Sequence, residues 1–135
     1  MSLPQPSSPA EQRSFRVLVA DDHPTNRAVL ETILKVVGAE VILVEDGAQA
    51  VRRFEAERFD LVLMDVQMPV MDGLTALRAI RALEAERGGR RIPMHVVSTN
   101  ALPEHARQSL AAGADSHITK PVDVPALLSV VMQAL

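Results

Sequence analysis

The sequence lacks cysteine, tyrosine and tryptophan, and it contains only 3 phenylalanines in 135 residues. Without cysteine there is no disulfide, no thiol nucleophile and no cysteine-ligated zinc. The shortage of aromatic side chains argues against modules that bind nucleic acid by stacking bases. The core must be aliphatic, and a hydrophobic fraction of 47% is sufficient to form one.

Long apolar runs and long runs of like charge are also missing. No stretch approaches the roughly 18 apolar residues of a membrane span, and the N-terminus has no apolar segment typical of a signal peptide. The net charge is −3, and no basic arm is present. We therefore expect no nucleic-acid partner, no membrane segment in this chain and a cytoplasmic location.

The chain divides into two parts of different composition. Residues 1–14 are rich in proline, serine and glutamine and show no periodicity, so they are predicted to form a disordered leader or linker. Residues 15–135 are predicted to form one domain. There, a short apolar run followed by an amphipathic helix occurs five times. Strands are predicted at Arg16–Ala20, Glu40–Val44, Asp60–Met64, Met94–Val97 and Ser116–Thr119.

Helix start and stop signals separate these strands. The predicted N-terminal residues are Thr25, Asp46 or Gly47, Asp72, Pro103 and Asp123. The first helix should end at Gly38, the second near Arg58, the third before Gly88-Gly89 and the fourth at Gly113. The inner face of the last helix is predicted to carry Leu127, Leu128, Val131 and Met132.

Five units in series, each a strand followed by a helix, predict an α/β fold with a five-stranded parallel sheet, order 2-1-3-4-5, and helices on both faces.

Polar residues follow four of the predicted strands, where each strand ends. They are Asp21 and Asp22, Asp65, Ser98 and Lys120. In an open α/β sheet the carboxyl ends of the strands form the ligand crevice, so these side chains should meet there. Crowded carboxylates raise each other's affinity for a cation, and Mg²⁺ prefers such oxygen ligands.

This set of residues is suited to phosphoryl transfer. The carboxylate of Asp65 can act as a nucleophile and form an aspartyl phosphate. Mg²⁺ and Lys120 would neutralise charge on the transferred group, and the Ser98 hydroxyl would donate a hydrogen bond to it. His23 follows the acidic pair and is expected to be a turn residue near the crevice. None of the four histidines has the spacing of a zinc site.

Several segments resemble the receiver domains of response regulators in two-component signalling, and the resemblance covers residues 15–135. The segments are Val17-Leu-Val-Ala-Asp21-Asp22-His-Pro-Thr-Asn26-Arg27, Leu61-Val-Leu-Met-Asp65-Val-Gln-Met-Pro69-Val-Met-Asp-Gly73, Asn100-Ala-Leu-Pro103-Glu and Asp115-Ser-His-Ile-Thr-Lys120-Pro121. The second and third are most similar to receivers of hybrid sensor histidine kinases. The resemblance implies a flavodoxin-like fold and phosphorylation by a histidine kinase or a histidine phosphotransfer domain.

The resemblance also implies a role for individual residues. Asp65 matches the phosphorylation site, Asp22 the direct metal ligand and Asp21 the acidic residue that acts through water. The backbone carbonyl of Gln67 matches the group that completes the metal site. The remaining matches are Ser98 for the switch hydroxyl, Lys120 for the lysine that pairs with the phosphoryl group, and Pro121 for the proline after a cis peptide bond.

Two positions depart from the family pattern. Thr99 stands where a small Ala or Gly is usual, and its bulk is expected to hinder the approach of water or of a phosphodonor. His117 stands where a Tyr or Phe usually swings inward on activation, so the usual coupling to Ser98 depends here on an imidazole.

Other functions remain as alternatives. A phosphatase or mutase that uses an aspartyl phosphate would carry its nucleophile after the first strand, with a second Asp two residues later, but residue 24 is Pro. A nucleotide-binding flavodoxin-like protein would need a glycine-rich loop after that strand. A free-standing response regulator and a degenerate receiver used only for interaction also stay open. Any catalysis is expected to be limited to the chain's own phosphorylation and dephosphorylation.

Overall fold

The computed structural model describes residues 14–135. The predicted leader therefore lies outside the described residues, apart from Ser14, which is exposed and belongs to no helix or strand. Five strands alternate with five helices along the described chain. They are β1 (Arg16–Ala20), α1 (Pro24–Val36), β2 (Glu40–Val44), α2 (Gly47–Ala56), β3 (Leu61–Asp65), α3 (Gly73–Arg87), β4 (Met94–Ser98), α4 (Pro103–Ala111), β5 (Ser116–Thr119) and α5 (Val124–Ala134).

The five strands form one parallel sheet in the order β2-β1-β3-β4-β5, which confirms the predicted fold class and strand order. The register brings the strand ends together: Ala20 of β1 lies opposite Met64 of β3, and Ser98 of β4 opposite Thr119 of β5. The residues that follow these positions therefore lie side by side along the carboxyl edge of the sheet.

Each face of the sheet is covered by an aliphatic cluster. On one face, α2 and α3 pack against the sheet through buried residues that include Phe54 and Ile80. On the other face, α1 and α5 pack through residues that include Leu34 and Leu127. All residues of β3 and β4 are buried, because a central parallel strand is covered on both sides.

Three of the five helices begin at the aspartate caps that the sequence predicts. The side chains of Asp46, Asp72 and Asp123 each accept a hydrogen bond from a backbone N–H in the first turn of α2, α3 and α5, as predicted. The prediction for α1 was wrong. This helix begins at Pro24, one residue before Thr25, because proline fits the first helical position, where no N–H is needed.

Four further differences concern the ends of three elements and the orientation of one side chain. β3 runs one residue later than predicted, since the Asp60 side chain accepts a hydrogen bond from the backbone N–H of Arg16. β4 continues to Ser98, and α2 ends at Ala56 rather than Arg58. In α5, the predicted inward position of Met132 was wrong: its exposed fraction is 71%. The buried stripe of α5 consists of Leu127, Val130, Val131 and Ala134.

The two faces of α5 predict different costs of truncation. Leu127→Ala should lower the free energy of unfolding by about 2–5 kcal/mol, since the side chain is 1% exposed and its loss leaves a cavity. Met132→Ala on the exposed face is the matched control and should change it by less than about 0.5 kcal/mol. Urea denaturation of both variants measures this, and equal losses would contradict the orientation of α5.

Candidate functional site

Three carboxylates meet at the carboxyl edge of the sheet. Asp21 and Asp22 follow β1, and Asp65 is the last residue of β3. One ligand atom from each of these residues, together with one from His23, lies within 4.8 Å of the others. Asp21 is 2% and Asp65 6% exposed, so two of the carboxylates are nearly removed from water. We call these four residues the acidic pocket.

Lys120 supplies positive charge to the acidic pocket. Its Nζ donates hydrogen bonds to Oδ2 of Asp21 and to Oδ2 of Asp65, both at 2.9 Å. The backbone N–H of Lys120 donates to the carbonyl of Ser98 at 2.7 Å, which ties the end of β5 to the end of β4. The peptide bond between Lys120 and Pro121 is cis. The lysine thus reaches across the sheet edge from β5 to β1.

Burial and pairing shift the pKa values of these groups in different directions. Burial raises the pKa of Asp65, the nearby charge of Asp21 adds to this, and hydrogen bonding to Lys120 opposes it without cancelling it. Burial also acts on Asp21, but its bonds from Lys120 and from the His23 backbone outweigh burial and lower its pKa. For Lys120, the two carboxylates outweigh burial and raise its pKa. The ionised form of Asp65 is therefore destabilised relative to that of Asp21.

The donor set of the acidic pocket fits a divalent cation. Oδ1 of Asp22 is buried and has no hydrogen-bond partner among residues 14–135. Nδ1 of His23 is only 2.8 Å away, but this approach does not have the geometry of a hydrogen bond. A buried carboxylate oxygen without a donor is costly unless a cation occupies the remaining lone pairs. Asp22 and Gln67 also line one concavity beside the pocket.

Ser98 and Thr99 occupy different environments at the end of β4. Ser98 is 6% exposed, and its Oγ accepts a hydrogen bond from the N–H of Asn100 at 3.1 Å. Thr99 is exposed. The hydroxyl of Ser98 is therefore enclosed next to the strand that carries Asp65, whereas the side chain of Thr99 borders solvent.

His117 connects the end of β5 to two neighbouring segments. Its Nδ1 lies 2.8 Å from Oγ of Ser109 in α4, and its Nε2 lies 2.8 Å from the carbonyl of Asn100 in the loop after β4. Ser109 is 1% exposed and also donates to the carbonyl of His105. The predicted switch residue is thus half-buried and bonded through both ring nitrogens.

Two contributors to the site were not predicted from the sequence. Gly73 opens α3, and a Cβ there would overlap the carbonyl oxygen of Asp65, so glycine is needed for this close approach. The Asp-Gly pair that starts α3 is the signal that could have indicated it. His23 was predicted to be a turn residue near the crevice, without a role in the site, and the structure places a nitrogen of its ring among the carboxylates of the acidic pocket. Its position directly after two aspartates was the available signal.

Comparison with known families gives one match that spans nearly the whole described chain. A family model described as response regulator receiver domain matches residues 17–132. The sensor protein GacS of Pseudomonas syringae pv. syringae is 45% identical over 125 residues, which are 93% of this chain and 14% of that protein. A hybrid signal transduction histidine kinase of Dictyostelium discoideum is 35% identical over 121 residues, covering 86% of this chain and 7% of that protein. The chain therefore spans a small part of these curated relatives.

Among solved structures, the chain is similar to the receiver domain of the sensor histidine kinase PA1611 from Pseudomonas aeruginosa. The TM-score is 0.80 at 37% identity, and the match covers 90% of this chain and 97% of that domain. That structure has a magnesium ion coordinated in its active-site cleft.

The raised pKa of Asp65 predicts a pH-dependent gain in stability for Asp65→Asn. Ionised Asp65 destabilises the folded chain, and this cost develops as pH rises from 3.8, the value of an ordinary Asp, through the raised pKa of the folded state. Without divalent cations, the variant should be more stable than the wild type at neutral pH. The gain should vanish well below pH 3.8, where Asp65 is protonated in both states.

Asp72→Asn is the control with the opposite sign. Hydrogen bonds from the Thr75 backbone lower the pKa of Asp72, so its ionised form stabilises the folded chain and the variant should lose stability at neutral pH. Urea denaturation in EDTA at neutral and acidic pH measures both. A loss of stability in Asp65→Asn at neutral pH would contradict a raised pKa for Asp65.

Proposed function

Because the chain belongs to the response regulator receiver domain family, we propose that Asp65 accepts a phosphoryl group from a phosphohistidine with Mg²⁺ in the acidic pocket. The observation that carries this proposal is the position of Lys120, whose Nζ lies 2.9 Å from Oδ2 of Asp65 and from Oδ2 of Asp21. A buried carboxylate with a raised pKa beside a lysine is suited to nucleophilic attack on phosphorus.

In the proposed reaction, a carboxylate oxygen of Asp65 attacks the phosphorus of the phosphohistidine. The new P–O bond forms as the P–N bond breaks, and the leaving imidazole keeps the electron pair and takes up a proton. Nζ of Lys120 moves from Oδ2 of Asp65 to a phosphoryl oxygen, which offsets the added negative charge. The Ser98 hydroxyl, which now accepts from Asn100, turns to donate to another phosphoryl oxygen.

The metal would be held by residues that are already in place. Asp22 would offer its unpartnered Oδ1, Asp65 a carboxylate oxygen and Gln67 its carbonyl, while Asp21 would act through a water molecule. When bound, Mg²⁺ supplies charge neutralisation for the phosphoryl oxygens. This assignment is supported by the fit of the donor set and by the magnesium found in the related Pseudomonas aeruginosa domain.

Signal output is proposed to leave through the segments that His117 connects. A change at Ser98 would move the loop after β4, and the Asn100 carbonyl in that loop is bonded to His117. His117 in turn contacts Ser109 of α4. Phosphorylation would thus shift the equilibrium between two arrangements of α4, β5 and α5.

The phosphodonor is proposed to be a histidine kinase or a histidine phosphotransfer domain, and the chain to be the receiver of a hybrid sensor histidine kinase. The names of the similar proteins support this, as does the small fraction of their length that the chain covers.

A cytoplasmic position is part of the same proposal. In residues 14–135, no helix combines the length and apolar character that crossing a bilayer requires. The pairing of Asp65 with Lys120 favours an active receiver over a degenerate one.

Phosphorylation of Asp65 is tested by incubating the protein with Mg²⁺ and acetyl phosphate or beryllofluoride. The wild type should form a base-labile phosphoryl adduct that intact-protein mass spectrometry detects, and it should bind beryllofluoride. Asp65→Asn should do neither, because an amide is not a nucleophile. Asp60→Asn, near the opposite end of β3, is the matched control and should behave like the wild type. A wild-type protein that forms no adduct and binds no beryllofluoride would refute the proposal.

Thr99 is expected to set the lifetime of the phosphorylated form. Thr99→Ala should shorten the half-life of the phosphoryl group, because removing bulk at this exposed position beside the site admits water more readily. Thr32→Ala, at an exposed position of α1, is the control and should leave the half-life as it is. Loss of the phosphoryl group is followed by mass spectrometry after removal of the donor. A half-life that Thr99→Ala does not change would reject this role.

A further inference from the structure

We propose that His23 is a fourth ligand of the acidic pocket for Zn²⁺ and Ni²⁺, and that Zn²⁺ thereby closes the site that Mg²⁺ leaves open. This inference rests on the proposed function in one respect, since it takes the acidic pocket to be the cation site. It concerns which metals the pocket prefers and what each does to the site, which the phosphoacceptor proposal leaves open.

The position of the imidazole carries the inference. Nδ1 of His23 lies 2.8 Å from Oδ1 of Asp22 and 3.4 Å from Oδ1 of Asp21. Ligands of a tetrahedral zinc ion, bonded at about 2.0–2.1 Å, are separated from one another by roughly 3.3 Å. The two observed distances bracket that separation. All four ligand atoms of the pocket lie within 4.8 Å of one another, so small side-chain movements complete the set.

The backbone holds His23 in this position. Its N–H donates to Oδ1 of Asp21 at 2.9 Å, and its carbonyl accepts from the N–H of Arg27 at 3.1 Å. The next residue is Pro24, which begins α1 with a fixed φ. The side chain itself makes no capping hydrogen bond to α1 and is 65% exposed. The ring is therefore anchored beside the carboxylates yet free to turn its nitrogen to a metal.

The carboxylates keep oxygens available while Lys120 is in place. Lys120 bonds to the Oδ2 atoms of Asp21 and Asp65, while their Oδ1 atoms accept from the backbone N–H of His23 at 2.9 Å and of Gln67 at 3.2 Å. Each Oδ1 keeps a second lone pair for a cation. In the described part of the chain, Oδ1 of Asp22 is the one buried side-chain oxygen without a hydrogen-bond partner. It also lies nearer to Nδ1 of His23 than Oδ1 of Asp21 does. A cation between Asp22 and His23 would satisfy an oxygen that is otherwise buried at a cost.

The addition of one nitrogen changes which metals the pocket prefers. Mg²⁺ takes oxygen ligands and retains waters, so it gains little from an imidazole. Zn²⁺ and Ni²⁺ bind imidazole well, and four protein ligands around zinc form a closed site. A closed site has no open coordination position for a phosphoryl oxygen. Zinc held by His23 and the carboxylates would therefore block the site, whereas Mg²⁺ would support it.

The other histidines of the described chain are placed differently. His95 is 4% exposed within β4, and its Nδ1 lies 2.6 Å from Oγ of Ser116. Both ring nitrogens of His117 are hydrogen-bonded. Within residues 14–135, the pocket with His23 is the one cluster of at least three acidic or histidine side chains that could hold a metal. His23 is thus the histidine on which zinc binding should depend.

The first test compares metal affinities by isothermal titration calorimetry of ZnCl₂, NiCl₂ and MgCl₂ into the wild type, His23→Ala and His105→Ala. His23→Ala should weaken Zn²⁺ and Ni²⁺ binding about tenfold or more relative to any change in Mg²⁺ binding. His105→Ala, in α4, controls for loss of a surface histidine and should bind all three metals like the wild type. Equal losses for all metals in His23→Ala, or no loss of zinc affinity, would overturn the proposal.

The second test asks whether zinc closes the site. Beryllofluoride is added with Mg²⁺, and its binding is followed by ¹⁹F NMR as ZnCl₂ is titrated in. Zinc should displace the adduct from the wild type, and about tenfold more zinc should be needed in His23→Ala. Equal zinc sensitivity in the two proteins would contradict the role of His23. A wild type that never binds beryllofluoride would instead refute the phosphoacceptor proposal, and the calorimetry would still decide the question of zinc.

Discussion

The hydrogen bonds from Lys120 to Asp21 and Asp65 are the interaction on which the site depends. Three carboxylates lie close together at the edge of the sheet, and two of them are almost fully buried. Buried like charges repel and lose hydration, so the arrangement requires positive charge nearby. The ammonium group of Lys120 meets this requirement for Asp21 and Asp65, but it makes no hydrogen bond to Asp22. The bonds to Lys120 and to the His23 backbone lower the pKa of Asp21, whereas burial keeps the pKa of Asp65 raised.

The strand order makes this interaction possible. Lys120 follows β5 and Asp21 follows β1, so the two residues are 99 positions apart in the chain. Because β3 and β4 lie between these strands and all strands are parallel, every functional side chain emerges at the same edge. Close packing then fixes the details. Gly73 allows the start of α3 to lie against the backbone of Asp65, and a larger residue would displace Asp65.

Much of this architecture could be predicted from residue patterns. Continuous apolar runs such as residues 61–64 indicate strands covered on both faces, and an aspartate before an amphipathic segment indicates a helix cap. These signals are local, so they identified the strands, three caps and the carboxylates that follow β1 and β3. The strand order followed from the doubly wound arrangement that such units adopt, and the ring of His23 was not assigned to the acidic pocket. The start of α1 was misjudged because Pro24 competes with Thr25 for the same role. Met132 was misjudged because an apolar side chain at helical spacing can still lie at the edge of the buried stripe. The surroundings of His117 depend on contacts with α4 and with the loop after β4, which spacing alone does not contain.

The double hydrogen bonding of His117 has a consequence for how the chain can move. A ring held at both ends, by Ser109 and by the Asn100 carbonyl, cannot rotate gradually without losing both partners together. Partial rotation would remove a partner from the Asn100 carbonyl and one of the two partners of the buried Ser109 hydroxyl, which is unfavourable. The imidazole is therefore expected to occupy discrete orientations, in which both contacts are either present or absent. A movement of the loop after β4 must therefore either carry the ring with it or break the contact between Nε2 and the Asn100 carbonyl.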